Sequence, residues 1–392
     1  MFHWGLIDLV KEINQTSDRI VTIGRMRAWI GGWCSPTIVL LLRLQPKKGV
    51  EMGRSIGVDL HKNCFTVCYM SKGEHELSEF KVNPEGVARF KDGLKKSDEV
   101  AVESTGNAGY FAREIKAKVK RVAIINPTQF KIISHSIKKT DEHDAITIAR
   151  YLSKGLIPEV RMRTEEQSRI SSLIGTRDKF VRLRTAMKNK VHNILNANGI
   201  VTKKEMFSSE KALDKVCQMD LNREYIFELE IVVDQIKSLN KSIDAISKEL
   251  NDRGKKLKGH KNLTSIKGIG DTNATILLST IGNVEDFADD KKLAAYLGIV
   301  PRVSISNETN HYGRITKMGN KIARTALVQS TLIAIRYNSY LRSFYEKLKS
   351  KKGSGKAIIA TSRKLLTIIY RTLKNDWVFE DFSKYKLAVS NS

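Results

Sequence analysis

IGVDL is apolar apart from Asp59, Cys64 and Cys68 alternate as strand residues in NCFTVCYM, and the pattern resumes beyond a polar turn at SKGE. That period of two predicts three strands over 54–82, two of them rich in β-branched side chains. EVAVESTGNAGYFAREIKAK reads as a buried strand running into a helix that starts after the Gly106-Asn107 turn, and KRVAIINP as a further apolar strand stopped at Pro127. Strands alternating with helices to about residue 155 imply an α/β sheet. From Glu165 the period becomes helical: Ile170, Leu173, Ile174, Val181, Met187, Val191, Ile194 and Leu195 recur at spacings of three and four. A second long helix, over about 222–257, puts Leu229, Ile236, Ile243, Leu250 and Leu257 at heptad position d and Ile226, Val233 and Asn240 at a. A polar Asn at one a position fits a coiled coil of fixed register, and a hairpin packing on its own domain would show the same pattern. LTSIKGIGDTNATILLSTIG then spells helix, Gly-Ile-Gly turn, helix. Such a helix-hairpin-helix can bring turn amides, here around Lys267, Gly268 and Gly270, to a phosphate, although an ordinary αα-turn would look much the same.

The first 51 residues break this pattern. They hold Trp4, Trp29 and Trp33, and an apolar stretch between Arg27 and Arg43 that is shorter than the roughly 20 residues a membrane span needs. Met52 directly precedes the first strand, so residues 1–51 are expected to be an upstream extension. Charge changes the picture further. The chain has 68 Lys and Arg against 42 Asp and Glu, a net charge of +26. The basic residues are spread along the whole length, which favours a polyanion such as nucleic acid over a membrane surface. The four cysteines form no CxxC pair and no disulfide framework, which fits a reducing cytoplasm.

Against that surplus, isolated acids stand out. Asp59 lies in an apolar strand, Glu103 ends another, and Asp141 and Asp144 in KTDEHDA share one helix face. Like charges three apart cost a few tenths of a kcal/mol (~0.2–0.5) unless something positive lies between them. Each acid alone would be read as paired with a nearby Lys or Arg. Converging at one sheet edge, four carboxylates suit two Mg²⁺ ions about 3.5–4 Å apart, the arrangement for in-line attack on a phosphodiester. Oxygen-only ligands favour Mg²⁺ or Mn²⁺, and no Cys/His cluster is expected to offer zinc an alternative.

IGVDLHK, VESTGN and KTDEHDAITIARYL resemble the three carboxylate motifs of the DEDD-type insertion-sequence transposases, the bridge-RNA-guided "one-ten" family. SIKGIGDTNATILLSTIG, with FADDKKLAAYLGIVPRVSISNETNHYGRITKMGNKIARTALVQ after it, resembles their carboxy-terminal transposase domain. The resemblance runs from about 54 to 345. It implies an RNase H-like (RuvC-like) domain over 52–160, a coiled-coil helical linker over 161–258, a mostly helical transposase domain over 259–345, and leaves a basic helical tail at 346–392. The fold class is thus α/β plus all-α. The family's four acids fall on Asp59, Glu103, Asp141 and Asp144. Its nucleophilic serine, counted from Pro301, falls on Ser306, with Asn307 where glycine is usual and Ser304 as the backup. Arg302, Arg314, Lys317, Lys321 and Arg324 are expected to contact phosphates, the alternative being a solvated basic helix start. The resemblance further implies DNA as substrate, a structured non-coding guide RNA, and dimers assembling into tetramers. A junction-resolving nuclease using water and the four acids is the competing enzyme. A non-catalytic nucleic-acid-binding protein would have no need of the acids.

Overall fold

The computed structural model describes residues 19–24, 29–30, 33–34, 41–46, 53–127, 129–130, 140–306 and 309–380. The chain divides into two compact units, residues 1–162 and 163–392. Before Met52, β1 (Arg19–Gly24) pairs antiparallel with β4 (Leu41–Pro46), and β2 (Trp29–Ile30) with β3 (Trp33–Cys34). These strands form sheets of their own, outside the six-stranded sheet that follows.

That sheet comprises β5 (Ser55–Leu60), β6 (Cys64–Ser71), β7 (Glu74–Lys81), β8 (Glu99–Glu103), β9 (Arg121–Ile125) and β10 (Glu159–Val160) in the order β10-β9-β8-β5-β6-β7. β5, β6 and β7 are an antiparallel meander, and the polar turn separates β6 from β7, with Lys72 and Gly73 both at positive φ as a tight hairpin requires. β8 and β9 join β5 in parallel. This mixed order is that of an RNase H-like fold. The parallel pairing is anchored at its start by the fully buried Asp98, which accepts from Arg54 N, Nε and Nη2 and from Lys95 N.

The two faces of the sheet are packed differently. On one, α1 (Pro84–Asp92) and α2 (Ala108–Ile115) cover Ile56, Val58, Val100 and Val102 with a cluster of Phe65, Phe90 and Phe111. On the other lies α3 (Asp141–Ser153), where Cys68, Ala145 and Ala149 make a cluster of small residues and Ile148 and Leu152 pack beside Ala101, Ala123 and Ile125. Gly57 is the reason α3 comes so close. A Cβ there would stand 2.2 Å from Ala145 O and 2.4 Å from Ala149 N, both backbone atoms that cannot swing aside. Gly57→Ala is therefore expected to destabilise the first unit by about 1–3 kcal/mol through overpacking. Calorimetric melting checks it: an unchanged melting temperature would deny the close approach.

The second unit opens with an antiparallel hairpin of α4 (Glu165–Ala197) and α6 (Arg223–Gly254), with the short α5 (Glu210–Val216) between them near the tip. Of the two arrangements open to the heptad pattern, the chain pairs its own two helices. Val191, Leu195, Leu229, Val233 and Ile236 close the tip with Phe207 and Leu213. Ile170, Ile174 and Leu250 close the base. Between these ends buried Ile243 is flanked by polar pairs: Arg177 Nε donates to Ser247 Oγ at 2.7 Å and Arg184 Nη1 to Asn240 Oδ1 at 3.0 Å. Asn240 thus sets register against an arginine of the same chain.

The base merges with a helical core built from α7 (His260–Thr264), α8 (Asp271–Ile281), α9 (Asp290–Tyr296), α10 (Lys321–Tyr337), α11 (Ser339–Lys352) and α12 (Ser354–Lys374), with the β11 (Pro301–Ser306)–β12 (Thr309–Ile315) hairpin ahead of α10. Residues 346–392 were expected to form a tail, yet α12 lays Leu365, Leu366, Ile369 and Tyr370 into this core beside Leu277, Leu297 and Leu327. Apolar residues at spacings of three and four give α12 a stripe that only burial satisfies, whatever its net charge. Residues 381–392 lie outside the described residues. No helix among the described residues is long and apolar enough to cross a membrane.

Candidate active site

Gly57 pairs with Ala101 and Val58 with Val102, so the next positions, Asp59 and Glu103, follow on the face covered by α3. Asp59 is buried and Glu103, the last residue of β8, is half-buried. α3 adds Asp141 and Asp144 from its first turn. Thr140 caps it, its Oγ1 accepting from His143 N at 3.2 Å. Asp144 points into the buried side, whereas the Asp141 side chain is 57% exposed. The positive end of the helix dipole stabilises acids in the first turn by about 0.3–1 kcal/mol each. The fold therefore supplies part of the compensation that the acid pair demands, in addition to any cation.

Burial pushes the Asp59 carboxyl up to about 6; His61 draws it down, while Asp141, Asp144 and Glu103 push it further up. Asp141, Asp144 and Glu103 thus act on Asp59 as like charges, with His61 as the opposing charge. Such a donor set fits a divalent cation.

The ligand chemistry differs from the oxygen-only set expected. His61 Nε2 lies 3.2 Å from Asp59 Oδ2 and 3.2 Å from Asp141 Oδ1. Asp59, His61 and Asp141 each offer one ligand atom, and all three atoms fall within 4.8 Å of one another. Burial by itself would lower the His61 imidazole, but the charges of Asp59 and Asp141 and its hydrogen bonds to both raise it. Imidazole suits softer divalent metals as well, so the set is mixed. The signal was present in the sequence, since residues two apart at a strand end share a side. The loop is fixed at both ends: His61 N donates to Cys64 O, and Asn107, from the second carboxylate motif, donates its Nδ2 to the His61 carbonyl at 3.1 Å.

In the second unit, Lys267, Gly270, Arg302, Arg314, Lys317 and Lys321 are all exposed. Gly268, at φ +110°, is turned into the protein, where a Cβ would meet Ala334 backbone atoms at 2.6–2.8 Å, so it holds the turn against α10. Arg324 is engaged: its Nη1 donates to Leu297, Met318 and Gly319 carbonyls at 3.0–3.2 Å. It clamps the turn that carries Lys317, a non-glycine residue held at φ +57°. Backbone strain of that kind persists only where its surroundings enforce it. Ser306 ends β11, its backbone paired with Thr309. The side chains of Ser304 and Ser306, and all of Asn307, lie outside the described residues.

Two family models match the chain. One, for the DEDD domain of IS110-type proteins and described as "Transposase", covers residues 56–198. The other, "Transposase IS116/IS110/IS902 family", covers 260–346. A "Probable family 20 transposase" of Pseudomonas aeruginosa is 28% identical over 72% of this chain and 84% of its own length. The transposase for insertion sequence element IS1111A of Coxiella burnetii is 25% identical over 81% of this chain and 89% of its own. A "Pilin gene-inverting protein" of Moraxella bovis is 26% identical over 83% and 97%. The first match falls on the sheet that carries the acids and the second on the helical core, and together they span more than half of the residues. The chain accordingly belongs to the IS110 family of insertion-sequence transposases, enzymes that recombine DNA.

Proposed function

We propose that this transposase cuts and rejoins DNA by transferring phosphodiesters to and from Ser306, with Asp59, Glu103, Asp141 and Asp144 holding Mg²⁺ or Mn²⁺. The observation that carries this reading is the convergence of Asp59, Glu103, Asp141 and Asp144 on the face of the sheet that α3 covers, with ligand atoms of Asp59, His61 and Asp141 within 4.8 Å of one another. Bound there, a divalent cation would stabilise charge developing on the phosphodiester. Asp59 and Asp141 would supply its carboxylate oxygens, with His61 Nε2 as a third ligand atom beside them. The Ser306 Oγ–phosphorus bond forms as a bridging oxygen departs with one DNA strand, and the serine hydroxyl proton passes through water to that oxygen, which leaves as a strand hydroxyl. An incoming strand's hydroxyl then reverses the exchange and frees the serine. Arg302, Arg314, Lys317 and Lys321 offset phosphate charge, while Arg324 and Gly268 keep their turns in place. A net charge of +26 spread along the chain suits a structured guide RNA as a second polyanion beside DNA. The assembly proposed is a dimer that pairs into a tetramer.

Trapping on a DNA substrate, denaturation and mass mapping test the chemistry. A DNA-linked peptide at Ser306 is expected. An adduct at Ser304 moves the nucleophile by two residues, and an active Ser306→Ala variant without any adduct leaves a nuclease that uses water. The same reaction run after ribonuclease treatment is expected to fail if RNA guides it.

A further inference from the structure

The chain carries four tryptophans, and Trp377 is the one that follows residue 51. It sits just past α12, with 57% of its surface exposed. The strap that presents it is firmly built. Asn262, itself buried, donates its amide to Asp376 Oδ1 at 3.0 Å and to the Trp377 carbonyl at 2.8 Å. Trp377 N donates to Thr372 O, and Phe379 N to Ser265 Oγ at 2.8 Å. Asp376 is held at φ +53°, a left-handed conformation that persists in a non-glycine residue only where its surroundings enforce it. A buried amide and a strained residue are thus committed to fixing the backbone of a large aromatic side chain that remains in water.

Trp377 borders a cavity of about 480 Å³ between the strap and the α11–α12 pair. Its other walls include Tyr340, Lys364, Ile368 and Arg371, with Glu380 as the one acid. Lys364 Nζ stands 5.6 Å from the centre of the Tyr340 ring, already in the geometry of a cation over an aromatic face. Over residues 339–374 the surface is strongly basic, with ten Lys and Arg against the single Glu346. Rigid aromatic faces interleaved with basic side chains are what an unstacked base on a phosphate strand requires: the ring stacks, and the cations track the backbone. A duplex keeps its bases inside and cannot use the indole.

We propose that the Trp377 cleft is a binding site for single-stranded nucleic acid, with one unpaired base stacked on the indole and the adjoining phosphates held by Lys364 and Arg371. Trp377, Lys364 and Arg371 lie beyond the residues that either family model covers, although Tyr340 falls within the second. The site is also independent of the chemistry proposed at the carboxylates, so it is tested in EDTA, where no strand is cut. The full-length protein is titrated with fluorescein-labelled oligothymidylate and oligouridylate of about 12 nucleotides and with a duplex of the same length. Single strands are expected to quench a tryptophan signal that the Trp377→Phe variant lacks, and the duplex is expected to leave that signal unchanged. Trp377→Ala is expected to weaken single-strand binding roughly 5- to 150-fold, the range for losing one stacked base, with Trp377→Phe closer to wild type. Lys364→Gln is expected to lower the salt dependence by about one phosphate contact. Preference for oligouridylate would identify RNA as the natural strand, and equal binding would mean either strand. Wild-type affinity in Trp377→Ala overturns the proposal. So does quenching by the duplex alone, or an emission change that follows protein concentration without nucleic acid, which would place a second copy of the chain in the cleft.

Discussion

Asp59→Asn, Glu103→Gln, Asp141→Asn and Asp144→Asn are each expected to reduce recombination to background while leaving the fold intact. Each change removes an anionic ligand but hardly alters volume. Stability separates this expectation from simple misfolding. The Asp59 carboxyl ordinarily titrates near 3.8 and is pushed up to about 6, first by burial. The folded state therefore binds its proton more tightly than the unfolded chain does. Metal-free stability falls as pH rises through the window from about 4 to 6, and above it the full penalty of a buried charge, on the order of 3 kcal/mol, is present. Asp59→Asn is expected to relieve that penalty, so in EDTA the variant melts above wild type at neutral pH and level with it below pH ~4. Recombination by wild type in EDTA, or full activity of Asp144→Asn, would remove the metal from the mechanism.

Nucleic-acid affinity is expected to fall by roughly a thousandfold or more between 50 and 200 mM salt, for about 6–10 phosphate contacts. The exposed Lys267, Arg302, Arg314, Lys317 and Lys321 provide part of such a set. Arg324 is held differently from these, its Nη1 donating to three backbone carbonyls. Arg314→Gln and Lys321→Gln are expected each to flatten the salt slope by about one, and Arg324→Gln to lower the melting temperature. Titrations at four or five ionic strengths measure both slopes. A nearly flat dependence in wild type would mean that the positive charge serves something other than phosphate.

The sheet was legible because its strands alternate or run apolar in short segments, and that pattern survives folding directly. The acids were legible because carboxylates are conspicuous in such strands. His61 was overlooked for want of a rule beyond residue type, although its spacing from Asp59 already placed both on one side. α1 announces itself through Asn83 as cap and Pro84 in the first turn, a signal passed over beside the stronger strands. The core role of α12 was hidden by its charge, since lysines and arginines at the surface do not alter an apolar stripe spaced for burial. Gly57 is different in kind. A glycine in a strand signals some close approach, but only the fold identifies the α3 backbone as its partner. The pairing of α4 with α6 was one of two arrangements that heptads allow, and sequence periodicity does not say whose helix fills the seam.

The arginines of that seam have a bearing on how the hairpin can change length. Arg177 and Arg184 occupy the heptad position that Ile170 and Val191 fill at the two ends. Slipping one helix by a heptad would set a guanidinium among the leucines and leave Asn240 or Ser247 facing an apolar side chain. A single-residue insertion would rotate the stripe off its partner altogether. The two apolar ends, some 20 residues apart on α4, are thus kept about 30 Å from each other at 1.5 Å per residue. Descendants of this chain can lengthen or shorten the hairpin only in matched heptads, one taken from or added to each helix. Size variation along the lineage then comes in steps of about 10 Å rather than continuously.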